Sequence, residues 1–207
     1  MAKTFELAKD KMALVIVDLQ NDFVRQGAPL LVREAIETVP ANQKLIAFAR
    51  ANGIPVIFTK FVTGKNPILL WNWSPQIPAD RCCARGYERH YPDIGKTQQC
   101  ADIIDELKPI MPEDYVIEKY HYSSFRNTSL VDILRSEGAD TIIVTGTVTQ
   151  ICVSDTVHDG MAEGFKVVLV SDCVSTWDQL QQQAVEENTA NKYGMVMTSD
   201  QLIQRLK

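Results

Sequence analysis

Ala13-Leu-Val-Ile-Val-Asp18 is an unbroken apolar run, rich in β-branched residues, that ends on an acid. Apolar residues in succession, rather than in alternation with polar ones, mark a strand buried on both faces. Such strands belong to parallel sheets with helices packed on either side. The same pattern recurs at residues 55–60, 115–119, 141–146 and 166–171, with a short run at 195–198. Helical periodicity fills the intervals. Residues 40–52 put Leu45, Ile46 and Ala49 on one face, with Pro40 near the start and Gly53 just past the end. Residues 97–107, 128–137, 150–163, 180–192 and 199–207 repeat apolar positions at helical spacing. Strand and helix in alternation predict an α/β, doubly wound, six-stranded parallel sheet of Rossmann-like form.

With 207 residues the chain suits one domain with a sizeable core. A formal net charge of -5 disfavours nucleic acid as a partner. No apolar run approaches the roughly 20 residues that span a bilayer. Residues 1–11 mix charge with apolar side chains and lack the core of a signal peptide, so a cytoplasmic location is expected. The five cysteines are odd in number and form no C-x-x-C pair, which argues against a disulfide framework or a zinc ribbon. Cys82 and Cys83, side by side in a polar stretch, read as reduced surface or lid thiols.

One segment breaks the alternation. Residues 61–96 have no clean period and hold Trp71, Trp73 and several prolines. A connection this long inside a compact domain is usually functional. It reads as a lid or a contact with a second subunit, the alternative being a loop closed over its own tryptophans.

Three polar residues fall at strand ends: Asp18, Lys119 and Cys152. The carboxyl edge of a parallel sheet is where ligands bind, so an acid, an ammonium and a thiol there form a candidate nucleophilic site. Cys152 lies about one turn into a helical pattern that opens at Thr149. Helix N-terminal amides and a nearby Lys119 would each favour the thiolate. Cys152, Thr156, Gly160 and Gly164 form a stripe of small residues that lets this helix approach the sheet. Taken singly, each residue has a plainer reading: a buried structural cysteine, an acid capping a loop and a solvated lysine.

Three motifs in order resemble the isochorismatase-like cysteine hydrolases. They are Asp18-Leu-Gln-Asn-Asp-Phe23, Lys119 followed by Tyr122-Ser-Ser-Phe125, and Gly146-Thr-Val-Thr-Gln-Ile-Cys152. The resemblance implies strand order 3-2-1-4-5-6 and a catalytic triad of Asp18, Lys119 and Cys152. It also implies a cis peptide at Thr147–Val148, with the backbone N–H groups of Val148 and Cys152 forming an oxyanion hole. A homo-oligomer, dimer or tetramer, is the family expectation. Nicotinamidases of this family carry an Asp-x-His metal motif after the second strand. Here that position reads Thr59-Lys-Phe-Val62, and the chain has only three histidines, His90, His121 and His158. No metal site and no cofactor are therefore expected.

Isochorismatases proper cleave a vinyl ether and carry a small residue in place of the cysteine. Cys152 instead favours attack on the carbonyl of a small carboxamide, ureido or carbamoyl compound through a covalent thioester. Phe23, Trp71, Trp73, Tyr122 and Phe125 are candidates for the wall of the substrate pocket. The alternatives are a vinyl-ether hydrolase and a catalytically silent, ligand-binding member of the fold.

Overall fold

The computed structural model describes residues 4–64, 77 and 81–207. Trp71 and Trp73 lie outside the described residues, as does much of the segment read as a lid. The main sheet is built from β1 (Met12–Val17), β2 (Val56–Phe61), β5 (Tyr115–Lys119), β6 (Thr141–Thr147), β7 (Lys166–Ser175) and β8 (Gly194–Met197). All its pairings are parallel, in the order β5-β2-β1-β6-β7-β8. Counted over these six strands, that is the 3-2-1-4-5-6 arrangement. Chain order reverses on either side of β1, so the crevice between β1 and β6 is the topological switch point where such sheets bind ligands.

Every residue of β1 is buried, and its side chains alternate between two cores. Met12, Leu14 and Ile16 join Leu45, Ile46 and Ala49 of α2 (Val39–Ala51) and the apolar face of the C-terminal helix Ser199–Leu206. Ala13, Val15 and Val17 join Leu130 and Leu134 of the helix Leu130–Ser136, and Val157 of the helix Ser154–Ala162. Helices on both faces thus explain why the strand lacks polar alternation.

The helix expected over 97–107 does not form. Glu88–Tyr91 (β3) and Lys96–Gln99 (β4) pair as an antiparallel ribbon instead. Beyond it, Gln20 and Ile103 form an isolated antiparallel bridge, and the Ile104 N–H donates to the Leu19 carbonyl at 3.1 Å. Only a short 3-10 turn remains, at Asp105–Leu107. Ile103, Ile104 and Leu107 are buried as a helical face would be, but pairing with the loop after β1 holds the backbone of Ile103 and Ile104 extended.

β6 passes very close to β1. Gly146 has φ +106, and a Cβ placed there would lie 2.0 Å from the Val17 carbonyl oxygen. The clash is with backbone, so no side-chain rotation relieves it. Gly146→Ala is expected to cost about 2–3 kcal/mol, read as a lower urea midpoint. An unchanged midpoint would show that the β1–β6 crevice is looser than this contact implies.

Candidate active site

Asp18 follows β1 directly, Lys119 is the last residue of β5, and Cys152 follows β6 in a π-helical turn, Thr149–Val153. β2 separates β5 from β1, so Lys119 must reach across it. The Lys119 Nζ lies 2.6 Å from Asp18 Oδ2, both side chains being fully buried. It donates to the Tyr122 carbonyl at 2.8 Å and the His121 carbonyl at 3.1 Å, and it sits over the Phe61 ring. Thr59 of β2 fills the gap between the two strands. Its hydroxyl donates to Asp18 Oδ1 at 2.8 Å and accepts the Asp18 N–H at 3.3 Å. The contact of Asp18 Oδ2 with the ammonium is an ion pair off the hydrogen-bond direction, which leaves that oxygen able to accept a proton. The Cys152 thiol lies within hydrogen-bond reach of both Asp18 and Lys119, and the Val148 N–H faces its sulfur. The Thr147–Val148 peptide is cis.

The thiol is not the depressed-pKa group its helix position led us to expect. Burial is the largest influence and pushes Cys152 up to about 12. The Lys119 ammonium pulls the other way, Asp18 adds to the rise, and the Val148 N–H opposes it. For Lys119, burial works against the charge, but Asp18 and the thiol outweigh it and the pKa stands above its usual value. The resting pair is therefore a neutral thiol beside a buried ammonium–carboxylate pair, with the carboxylate placed to take the thiol proton at the moment of attack.

Three further buried thiols, Cys83, Cys100 and Cys173, are also raised, first by burial and then by a neighbouring aspartate. The unfolded chain releases thiol protons near pH 8.5, whereas the folded chain holds them well above that. From about pH 8.5 towards 12 the unfolded state binds fewer protons, so stability falls as pH rises through that window. The urea midpoint, measured in reductant, is expected to be lower at pH 10 than at pH 7.5. An equal or higher midpoint would contradict the burial of these groups.

The first motif acts largely as a bracket. Gln20 donates to the Phe61 and Ala101 carbonyls at 2.8 and 2.7 Å and accepts the Phe61 N–H at 2.7 Å. Asn21 donates to the Gln99 carbonyl. The buried Asp22 carboxylate accepts from the Cys83 N–H, Arg89 Nε and Tyr91 Oη at 2.8–2.9 Å. Together these side chains fasten the end of β2, the β3–β4 ribbon and the Cys83 segment to the end of β1. The second and third motifs are joined by Thr156, whose hydroxyl donates to the Cys152 carbonyl and sits 3.0 Å from Ser124 Oγ. Thr149 ties the nucleophile turn to β7 by donating to the Ser175 carbonyl at 2.9 Å.

Cys152 lies in a cavity of about 120 Å³ walled by Phe23, Phe61, Tyr122, Val148, Ile151 and Trp177. Leu30 and Ile77 complete its lining among the described residues. Of the residues expected at the substrate pocket, Phe23 and Tyr122 line this cavity. Phe125 does not: it is buried in the second core, its ring centroid 5.9 Å from that of Phe165. It follows the Ser123–Ser124 turn, which sends it under the sheet and away from the cavity. Cys82 and Cys83 are in no disulfide among the described residues, and both are fully buried rather than on the surface. The Asp22 contact draws the Cys83 backbone inward. Of the histidines, His121 pairs with Asn127, His158 packs on Tyr193 and His90 is exposed on β3. Among the described residues no group of three or more His, Cys, Asp or Glu side chains could hold a metal ion, and no helix is long and apolar enough to cross a membrane.

A buried acid, lysine and cysteine at the switch point of a doubly wound sheet define a candidate cysteine hydrolase. Residues 12–201 match the isochorismatase domain family, to which the chain belongs. It is 34% identical over 200 residues to the ureidoacrylate amidohydrolase RutB of Pseudomonas savastanoi pv. phaseolicola, covering 91% of this chain and 80% of that protein. It is 30% identical to the N-carbamoylsarcosine amidase of an Arthrobacter species, covering 95% of this chain and 72% of that protein. A crystal structure of a cysteine hydrolase from Pseudomonas syringae pv. phaseolicola superposes with a TM-score of 0.89 at 27% identity, covering 100% and 97% of the two chains.

Proposed function

We propose that this chain is an amidohydrolase that cleaves the C–N bond of a small carboxamide, ureido or carbamoyl compound through a thioester on Cys152. The supporting observation is the fully buried Asp18–Lys119 pair at 2.6 Å, to both members of which the Cys152 thiol is electrostatically coupled. Asp18 takes the thiol proton as the sulfur attacks the carbonyl carbon. The C–S bond forms, and the carbonyl electron pair moves onto oxygen, facing the Val148 and Cys152 N–H groups. Collapse breaks the C–N bond, and Asp18 returns its proton to the departing ammonia or amine. Water then attacks the thioester, giving a proton to Asp18. The acid leaves, and the thiol recovers that proton. Lys119 stays within 2.6 Å of Asp18 Oδ2 as its counter-ion.

The names of the two relatives, ureidoacrylate amidohydrolase and N-carbamoylsarcosine amidase, point to the same bond class. The test is ammonia release from a panel of small amides, ureas and carbamoyl compounds, with intact-mass detection of an acyl adduct in acid-quenched enzyme. An adduct on Cys152 is expected. Equal ammonia release by the parent chain and Cys152→Ser would reject thiol catalysis.

A further inference from the structure

We infer that the pocket takes a neutral, apolar amide or alkyl urea in preference to an anionic ureido acid. The inference rests on the amidohydrolase reading and narrows its substrate class. A substrate whose carbonyl carbon meets the Cys152 sulfur must lay the rest of itself along the surrounding wall. Among the described residues that wall is made of rings and aliphatic groups, notably Phe23, Phe61, Leu30, Ile151 and Trp177. Trp177 is 55% exposed and stands at the rim, where its ring can cover the far end of the ligand.

The cation at the floor of the site is already committed. Lys119 has three donors and three oxygens within 3.1 Å: the Asp18 carboxylate and the carbonyls of Tyr122 and His121. Its ammonium is already paired with the buried Asp18 carboxylate and hydrogen-bonded to two carbonyls, and the negative charge of Asp18 beside it repels a substrate carboxylate. Among the described lining residues none is cationic, so a carboxylate seated against this wall would lose hydration without gaining a charged partner. An alkyl group at the same place gains from burial instead. The cavity, about 120 Å³, is well below the roughly 300 Å³ typical of sites for drug-sized ligands, so the apolar group is short.

The test uses two isosteres, n-propylurea and 3-ureidopropionate, which share the ureido end and differ by a methyl in place of the carboxylate. Parent-enzyme kcat/KM is expected to be on the order of 100-fold higher for n-propylurea. Equal values, or a preference for the acid, would overturn the inference and leave the amidohydrolase reading standing. Calorimetric binding to Cys152→Ser reads the same preference without turnover. At least about tenfold tighter binding of n-propylurea supports the inference even if neither compound is hydrolysed. Tighter binding of the acid, or no binding of either urea, overturns it. Loss of all Cys152-dependent hydrolysis, with the neutral ligand still preferred in binding, counts against the amidohydrolase reading alone.

Discussion

Cys152→Ser is expected to lower kcat/KM by at least about 10⁴-fold, Asp18→Asn by about 10³–10⁴-fold, and the double variant by scarcely more than Cys152→Ser alone. The reason is the protonation state of the site. With the Cys152 pKa raised to about 12, almost no thiolate exists at neutral pH, so sulfur and base must act in one step. A serine hydroxyl is a harder proton donor than the thiol, and the site offers it no more help. An asparagine leaves the sulfur in place but cannot accept its proton. Once one member is gone the other has nothing to act on, so the losses do not add. The measurement is steady-state ammonia release by the three variants and the parent. Additive losses, or Asp18→Asn within tenfold of the parent, would show that the thiol ionises without the carboxylate. Iodoacetamide alkylation gives a second reading. Below pH 9 a buried, neutral thiol is expected to react more slowly than free cysteine.

The sheet was legible because burial on both faces leaves a plain mark in sequence: Ala13 to Val17 has no polar residue to interrupt it. The position of Asp18 was legible for the same reason, being the polar residue that follows such a run, whereas Lys119 closes a run that already holds Glu118 and Cys152 lies a turn beyond its strand. That they converge needed the strand order, which no local pattern carries. The ribbon of β3 and β4 was hidden because Lys96–Gln99 is polar throughout and its strand character comes from its partner Glu88–Tyr91. Trp177 was missed because the apolar run of its strand was read as 166–171, stopping before Asp172. β7 in fact runs on to Ser175, past the register shift between Val144 and Gly146, which delivers Trp177 to the cavity rim. Thr59 was overlooked as one more β-branched strand residue, although its hydroxyl holds Asp18. The thiol pKa was misjudged because the helix dipole and the lysine can be read from sequence, whereas depth of burial cannot, and here burial outweighs both.

The largest expected loss of stability follows from that depth. Lys119→Met keeps most of the side chain's volume and removes its charge. The Asp18 carboxylate, fully buried, is then left with the Thr59 hydroxyl as its side-chain donor, and the Tyr122 and His121 carbonyls lose theirs. Breaking a buried pair from one side in this way typically costs about 3–5 kcal/mol. At the usual urea dependence of about 1–3 kcal/mol per molar, the unfolding midpoint should fall by roughly 1–3 M. Removing both charges should hurt less than removing one, because the desolvated carboxylate is itself the main cost. The double variant Asp18→Asn with Lys119→Met is accordingly expected to unfold at a higher urea concentration than Lys119→Met alone, while remaining inactive. That inversion, greater stability with two substitutions than with one, separates a buried ion pair from two independent packing residues, whose losses would add. If the double variant is the less stable of the two, Asp18 and Lys119 do not act as a buried ion pair in the folded chain, and Lys119 is not the counter-ion of Asp18.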